Sequence, residues 1–561
     1  MPDTQPAAMI VEKDAGIPVN DGHVLRANIY RPPGPGRFPV IMTQGVYGKD
    51  VHFADGYAAQ WEKLHKLHPD VFAGSSGRYL RWELVDPERW VPDGFVVIAV
   101  DSRGSGKSPG FLDPMSPREI QDYHDAVEWA GTQPWSNGRV GLLGISYLAH
   151  TQWRVAALRP RHLAAIIPWE GFVDPYRDRT HHGGIFSNSF TSNWLERQVL
   201  VNQNGNGATR HRDRDTGLPT TGEPLSEEML AANRVDYGGT ILRHTMDDAF
   251  YRERRPDLSR IEVPVLSCGN WGGPGVHLRG NIEGFTGAGS AQKWLTMHLG
   301  THFESFYLPE GIALQRRFFE RYLKGIENGW EEEPRVQVAV RRVDGAGFRT
   351  DTSWPLSGTR WTRQHLDAGS VTLRPDTPAT AGCAEYDALG EGLHFSTAPF
   401  AADTEFTGSL MARLWIASST EDADIFATLR LIDPAGEEVV FAGAHEPTPV
   451  ARGWLRASHR RTDPERSLPW RPWHGHDRRE PLVPGEPTAV EVEIWPTSIV
   501  CPAGYRLVLT LAGRDFQLPG TPGRILHDHP ADRGHPRFAG RSTVLTGPEH
   551  DSFLLLPLIP D

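Results

Sequence analysis

Short, nearly continuous apolar runs recur through the first part of the chain, each ending in glycine or polar residues and most followed by a helix-like stretch. They read FPVIMTQGVYG (38–48), GFVVIAVDSRGSGKSPG (94–110), VGLLGIS (140–146), HLAAIIPWE (162–170), VPVLSCGNW (263–271) and QKWLTMHLGTH (292–302). Runs without polar alternation suit strands buried on both faces of a parallel sheet. Between two of them, SPREIQDYHDAVEWAGTQ (116–133) has helical spacing, with Ile120, Tyr123, Ala126, Val127 and Ala130 on one face. Ser116 and Glu119 have the spacing of a capping box. Residues 8–34 alternate and predict antiparallel strands ending at a Pro-Pro-Gly turn. Residues 49–92 show no period and predict an excursion over the sheet.

The alternation of strands and helices stops at about 175. Glycine-rich and aromatic stretches with helical pieces such as SEEMLAANRV fill the region to about 256. From about 335, strand-like runs separated by Pro, Gly and Asp turns take over, among them VQVAVRRV, SLMARLWIAS, DIFATLRLID and AVEVEIWP. The pattern predicts a parallel sheet with helices on both faces over 1–174 and 257–334, a helical cap insertion over 175–256, and an all-β sandwich or jelly roll over 335–561.

Composition narrows this picture without redirecting it. A chain of 561 residues exceeds one core and implies two or three domains. The formal net charge of −12 argues against a nucleic-acid partner. Cys268, Cys383 and Cys501 make neither a disulfide framework nor a zinc motif. No apolar run approaches the roughly 20 residues of a membrane span, and MPDTQPAAMIVEKDAG lacks a leader pattern. The expected location is the cytoplasm. The expected partner is a small-molecule ester or amide, with a homodimer compatible with the sequence. Eighteen tryptophans can fill cores or line an apolar pocket. Trp169, Trp271 and Phe172 are the pocket candidates.

In a parallel sheet of this kind, functional groups gather at the carboxyl ends of the strands. Ser146, in Gly144-Ile145-Ser146-Tyr147-Leu148-Ala149, sits where strand turns into helix, as at a nucleophile elbow. The usual glycine two residues after the serine is Leu148, with the small Ala149 one place later. His302 follows the last strand of the series and can act as general base. His298 lies within the same run and reads as structural. Tyr47 follows an earlier strand, and its hydroxyl could share an oxyanion with the Tyr147 N–H. The acid is less direct. The strand before the histidine strand ends SCGNWGGPG, with no carboxylate.

The segment GISYLAHTQW, together with VDSRGSGKSPG, EWAGTQPWSNGRVGLLG and the tyrosine of QGVYG, resembles the cocaine esterase-like hydrolases, grouped with X-prolyl dipeptidyl-peptidases and α-amino acid ester hydrolases. The β-rich last third resembles their jelly-roll domain. The resemblance implies an α/β-hydrolase fold and a serine hydrolase without cofactor, with Ser146 as nucleophile, Tyr47 as oxyanion tyrosine and His302 as catalytic histidine. The family's aspartate would fall at Gly273. Glu170, at the carboxyl edge of the strand beside the nucleophile strand, is the leading replacement. An ion pair with Arg177 or Arg179 is its alternative role, and Asp174, Glu283 and Glu304 are the other candidate acids.

The expected activity is hydrolysis of small acyl esters, or amides, through an acyl-enzyme. Release of X-Pro dipeptides is an alternative, as are acyl transfer and ligand or carbohydrate binding by a degenerate hydrolase. No metal is expected. Adjacent His181 and His182 diverge on a strand, and Arg103-Gly104-Ser105-Gly106 lacks phosphate-loop spacing. The aromatic stretch 454–476 is expected to fold over the active site, with binding of a partner as its alternative role.

Overall fold

The computed structural model describes residues 9–444, 447–518 and 525–560. Two antiparallel strands, β1 (Ile10–Pro18) and β2 (Val24–Arg31), lead into β3 (Phe38–Gly45), β4 (Val96–Asp101), β5 (Ser136–Ile145), β6 (Leu163–Trp169), β7 (Val265–Asn270) and β8 (Lys293–His298). In space they run β1-β2-β4-β3-β5-β6-β7-β8, and every neighbour from β4 onward is parallel. The apolar runs form these strands because both faces are covered. Val40 and Met42, Ile98, Leu142 and Ile166 enter one core, while Ile41, Val97, Leu143 and Ile167 enter the core on the opposite face. Successive side chains point to opposite sides, so one strand feeds two cores.

Helix α1 (Pro117–Thr132) starts where the sequence predicts, with the Ser116 hydroxyl capping the Glu119 amide. Glu119 is fully buried and serves elsewhere, accepting from Ser102, the Met115 amide and the Tyr147 hydroxyl. The stretch 49–92 folds into short helices, Phe53–Gly56, Ala58–Leu67 and Pro87–Trp90. Residues 175–256 hold short helical segments such as Asn188–Trp194, Glu227–Ala232 and Tyr237–Arg243, plus a two-strand hairpin at His181–Phe186.

From Val336 onward the chain is rich in strands. Thr404–Ser418 pairs antiparallel with Thr488–Cys501 and Phe553–Ile559, and Asp424–Ile432 pairs with Ala451–Arg456 and Arg506–Ala512. They enclose a core of their own, with Leu410, Ile425, Leu429, Val492 and Leu509 fully buried. The stretch 454–476 packs against the flank of the hydrolase part. Arg471 pairs with Glu283 and Trp473 faces Arg177 at 4.6 Å, while Trp470 stacks on Trp361 of the strand-rich region itself. Ala444 of the strand-rich region lines the active-site cleft, and its amide bonds the Gly272 carbonyl at 2.7 Å. Among the described residues, no helix is long and apolar enough to cross a membrane.

Candidate active site

Ser146 joins β5 to helix α2 (Tyr147–Leu158) with φ 62° and ψ −117°. A non-glycine residue in that region is strained and is held there by its surroundings. The Ser146 amide donates to the Trp169 carbonyl at 3.0 Å. Leu148 fits because glycines make room for it. A Cβ at Gly45 would lie 2.2 Å from Leu148 Cδ2, and one at Gly144 would lie 2.8 Å from Leu148 Cβ. Ala149 packs over Gly171, where a Cβ would approach to 2.6 Å. The elbow is therefore tight at positions other than the one two residues after the serine.

A cleft of about 460 Å³ opens over Ser146. Its aromatic wall is Tyr57, Trp82, Phe190, Trp194 and Phe303. The pocket candidates Trp169, Trp271 and Phe172 lie behind this wall and do not line it. Each is 2% exposed. Trp169 packs on Phe306, Trp271 bonds the Ala339 carbonyl, and Phe172 stacks on His150. A strand buried on both faces hides its terminal aromatics in either core, which the linear pattern cannot distinguish from a cleft wall.

The Tyr47 hydroxyl accepts from Trp194 Nε1 at 3.0 Å and hydrogen-bonds Ser146. Burial, followed by the nearby Glu83 charge, raises its pKa well above the ordinary value, so it remains a neutral donor. The Tyr147 amide is the first of α2, and the leading amides of a helix have no intrahelical acceptor. An oxygen placed over Ser146 therefore meets a neutral O–H and the positive end of a helix.

Glu170 follows β6 directly beside the elbow, since Ile145 pairs with Trp169. It is fully buried and has φ 47°. Its Oε2 lies 2.7 Å from His302 Nδ1, and its Oε1 accepts from Asn270 Nδ2 at 3.2 Å. Asn270 also donates to the carbonyls of Gly300 and Thr301, which ties the acid to the loop carrying His302. Arg177 pairs with Asp174 and Asp247, and Arg179 bonds the Tyr237 hydroxyl, so neither engages Glu170. The other candidate acids bind Arg177 (Asp174), Arg471 (Glu283) and Lys63 (Glu304). His298 bonds Ser305 at 3.0 Å.

His302 does not meet Ser146 in this structure. The imidazole against the serine is His277, with Nε2 2.9 Å from Ser146 Oγ. His302 Nε2 is 2.9 Å from Oε1 of Glu83, a buried carboxylate with φ 64°. The rings of His277 and His302 stack nearly parallel, 4.7 Å apart. Burial alone would lower the His302 pKa, but the Glu170 charge and the hydrogen bonds His302 gives to Glu170 and Glu83 outweigh it and hold the pKa up at about 10. Burial raises the Glu83 pKa against the pull of His302.

Sequence reasoning missed His277 and Glu83. His277 could have been found as the histidine ending the glycine-rich loop after β7, at the carboxyl edge of the sheet. Glu83 lies in the aperiodic stretch and gave no signal. Donor atoms of Glu170, His277 and His302 lie within 4.8 Å of one another, the one metal-capable group among the described residues. Of these, Glu170 and His302 hydrogen-bond each other and His277 bonds Ser146. His181 and His182 are buried in the hairpin, with His182 bonded to His527. The Asp101 carboxylate fills the turn after β4 and bonds the Lys49 and Lys107 amides, leaving no phosphate cradle there.

Residues 21–304 match the X-Pro dipeptidyl-peptidase (S15 family) profile, and residues 328–555 match the X-Pro dipeptidyl-peptidase C-terminal non-catalytic domain. The chain belongs to the S15 family. Among its relatives is the cocaine esterase of Rhodococcus sp. (strain MB1 Bresler), 24% identical, with 98% of each chain covered. The crystal structure of a CocE/NonD family hydrolase from Staphylococcus aureus is 34% identical with a TM-score of 0.85, covering 98% of this chain and 94% of that one. An α-amino acid ester hydrolase shares the fold at a TM-score of 0.71 and 17% identity, covering 100% and 98%. This S15-family chain is a serine hydrolase, and the strand-rich region from Val336 corresponds to the family's non-catalytic domain.

Proposed function

We propose that the protein hydrolyses carboxylic esters of small acyl groups through an acyl-enzyme on Ser146. The observation that carries this reading is the strained Ser146 with an imidazole nitrogen 2.9 Å from its hydroxyl, at the floor of the cleft. Ser146 Oγ attacks the ester carbonyl and its proton passes to the stacked histidine pair, anchored on Glu170. The carbonyl electrons move onto oxygen, which is met by the Tyr47 hydroxyl and the Tyr147 N–H. Collapse expels the alcohol with the transferred proton. Water then attacks the acyl-enzyme by the same route and restores Ser146. The esterase names among the relatives support an ester substrate. The C-terminal region is read as a jelly roll and residues 175–256 as a cap, which together wall the cleft. Soluble localisation in the cytoplasm and a small-molecule partner complete the proposal.

The test is a panel of p-nitrophenyl acyl esters and X-Pro p-nitroanilides assayed with the wild type and Ser146→Ala. Ester turnover that vanishes in Ser146→Ala is the expected result. Faster release of X-Pro dipeptides than of acyl groups would replace the esterase reading with the peptidase one.

A further inference from the structure

The serine-hydrolase reading leaves two histidines at one nucleophile, and their surroundings divide the work between them. We propose that His277 is the general base that takes the Ser146 proton, while His302 is a fixed imidazolium clamped between Glu83 and Glu170. The proposal rests on the function given above and goes beyond it by assigning the base.

Three geometric facts carry it. First, His277 Nε2 is the ring nitrogen in contact with Ser146 Oγ, at 2.9 Å. Second, both nitrogens of His302 are occupied by carboxylates, Nδ1 by Glu170 at 2.7 Å and Nε2 by Glu83 at 2.9 Å. Ionised carboxylates only accept, so a ring meeting two of them donates from both nitrogens and is an imidazolium. An imidazolium has no lone pair for the serine proton. If Glu83 instead holds that proton and donates it, Nε2 is still occupied. The elevated His302 pKa agrees with this geometry. Third, Glu83 is fixed to the nucleophile strand, because its carbonyl accepts from the Ile145 amide at 3.3 Å. Turning His302 toward Ser146 would strand a carboxylate that is 3% exposed.

The clamp also accounts for how His277 is supported. Two carboxylates and one imidazolium carry a net charge of −1, stacked 4.7 Å from the His277 ring. That excess favours the His277 imidazolium formed in the transition state, the role an orienting aspartate has in an ordinary triad. The loop after β7, where the resembled family would place its acid, delivers the base here. The proton balance is simple. Ser146 Oγ loses a proton to His277 Nε2 as the Oγ–C bond forms, and His277 returns it to the departing alkoxide. Water repeats the transfer, and Ser146 recovers its proton. His302 keeps its protons throughout.

The test uses the full chain with a fluorophosphonate probe, which reports nucleophile activation without needing deacylation. Labelling rates are compared for the wild type, His277→Gln and His302→Gln. The expected result is a loss of about 10³-fold or more in His277→Gln, the scale of a general base, and a smaller loss in His302→Gln. Partial rescue of His277→Ala by added imidazole is expected. Histidine ¹⁵N NMR of the resting wild type at pH 8 should show two protonated ring nitrogens on one residue, absent in His302→Gln. His277→Gln labelling within tenfold of wild type, with His302→Gln silent, would overturn the assignment. A single protonated nitrogen on His302 in the folded wild type would overturn the clamp. Failure of the wild type itself to label would count against the hydrolase reading rather than this one.

Discussion

Glu170→Gln removes one charge from the site and almost no volume, so it isolates what the carboxylate does. In the wild type, burial opposes the His302 charge, and Glu170 and Glu83 more than compensate, holding the ring protonated to about pH 10. Against an ordinary histidine near 6.5, that difference corresponds to about 4–5 kcal/mol of preference for the charged form. Two carboxylates share it, so the loss of one costs about 2 kcal/mol. The sign follows from a raised folded pKa. The stabilisation is fully present below about pH 6.5 and is lost as pH rises through about 10. Thermal melts of wild type and variant should therefore differ most near pH 6.5 and converge toward pH 10. The same substitution removes the net negative charge beside His277. A fall in kcat of about 10²–10⁴ with little change in KM is expected on a p-nitrophenyl ester, the range seen when a triad acid is neutralised. A kcat within threefold of wild type, or a melting difference that grows with pH, would refute the reasoning.

Tyr47→Phe removes the proposed oxyanion donor and should lower kcat by about 10²–10³, with KM largely preserved in steady-state assays. Trp194→Phe removes the indole N–H that bonds the Tyr47 hydroxyl at 3.0 Å, and should cost about 1 kcal/mol of transition-state stabilisation, or roughly fivefold in kcat/KM. That loss should disappear in a Tyr47→Phe background, which a double-mutant cycle reads directly. Gly45→Ala drives a methyl into Leu148 Cδ2 at 2.2 Å and should destabilise by about 1–3 kcal/mol, with Leu148→Ala in the same chain recovering part of the loss. Equal melting temperatures for Gly45→Ala and wild type would show that the elbow is looser than its contacts imply.

The parallel sheet was legible because its strands are short, apolar and regularly followed by helices, and Ser146 was legible because one such strand ends in Gly-Ile-Ser. Glu170 could be placed beside Ser146 from strand adjacency alone, and the Ile145–Trp169 register shows why. The contacts of His302 were not legible. Strand order puts a histidine at the right edge of the sheet, but which way its ring turns depends on Glu83, which comes from an aperiodic loop about sixty residues before the serine. His277 ends a loop in which the resembled family carries a carboxylate, so a histidine there has no counterpart in that pattern. Trp169, Trp271 and Phe172 follow strand ends as wall residues do, yet packing from both faces of the sheet claims them first.

Glu83, Ser146 and Glu170 share a property that no pattern of side chains announces. All three have positive φ, at 64°, 62° and 47°. Such backbone costs of order 1–3 kcal/mol per residue and persists where the surroundings enforce it. At Ser146 the strain presents the hydroxyl to the cleft. At Glu83 it lets the main chain bond Ile145 while the side chain turns to His302. If the strain at Glu83 is held for the sake of the carboxylate, removing the carboxylate leaves only the strain. Glu83→Gly should then be more stable than Glu83→Ala by about 1 kcal/mol, because glycine enters this region without a Cβ penalty. Both variants lose the same hydrogen bond, so the comparison cancels it. Parallel thermal melts decide the matter. An alanine variant as stable as the glycine variant would mean that the loop relaxes once His302 is released, and that the clamp itself imposes the turn.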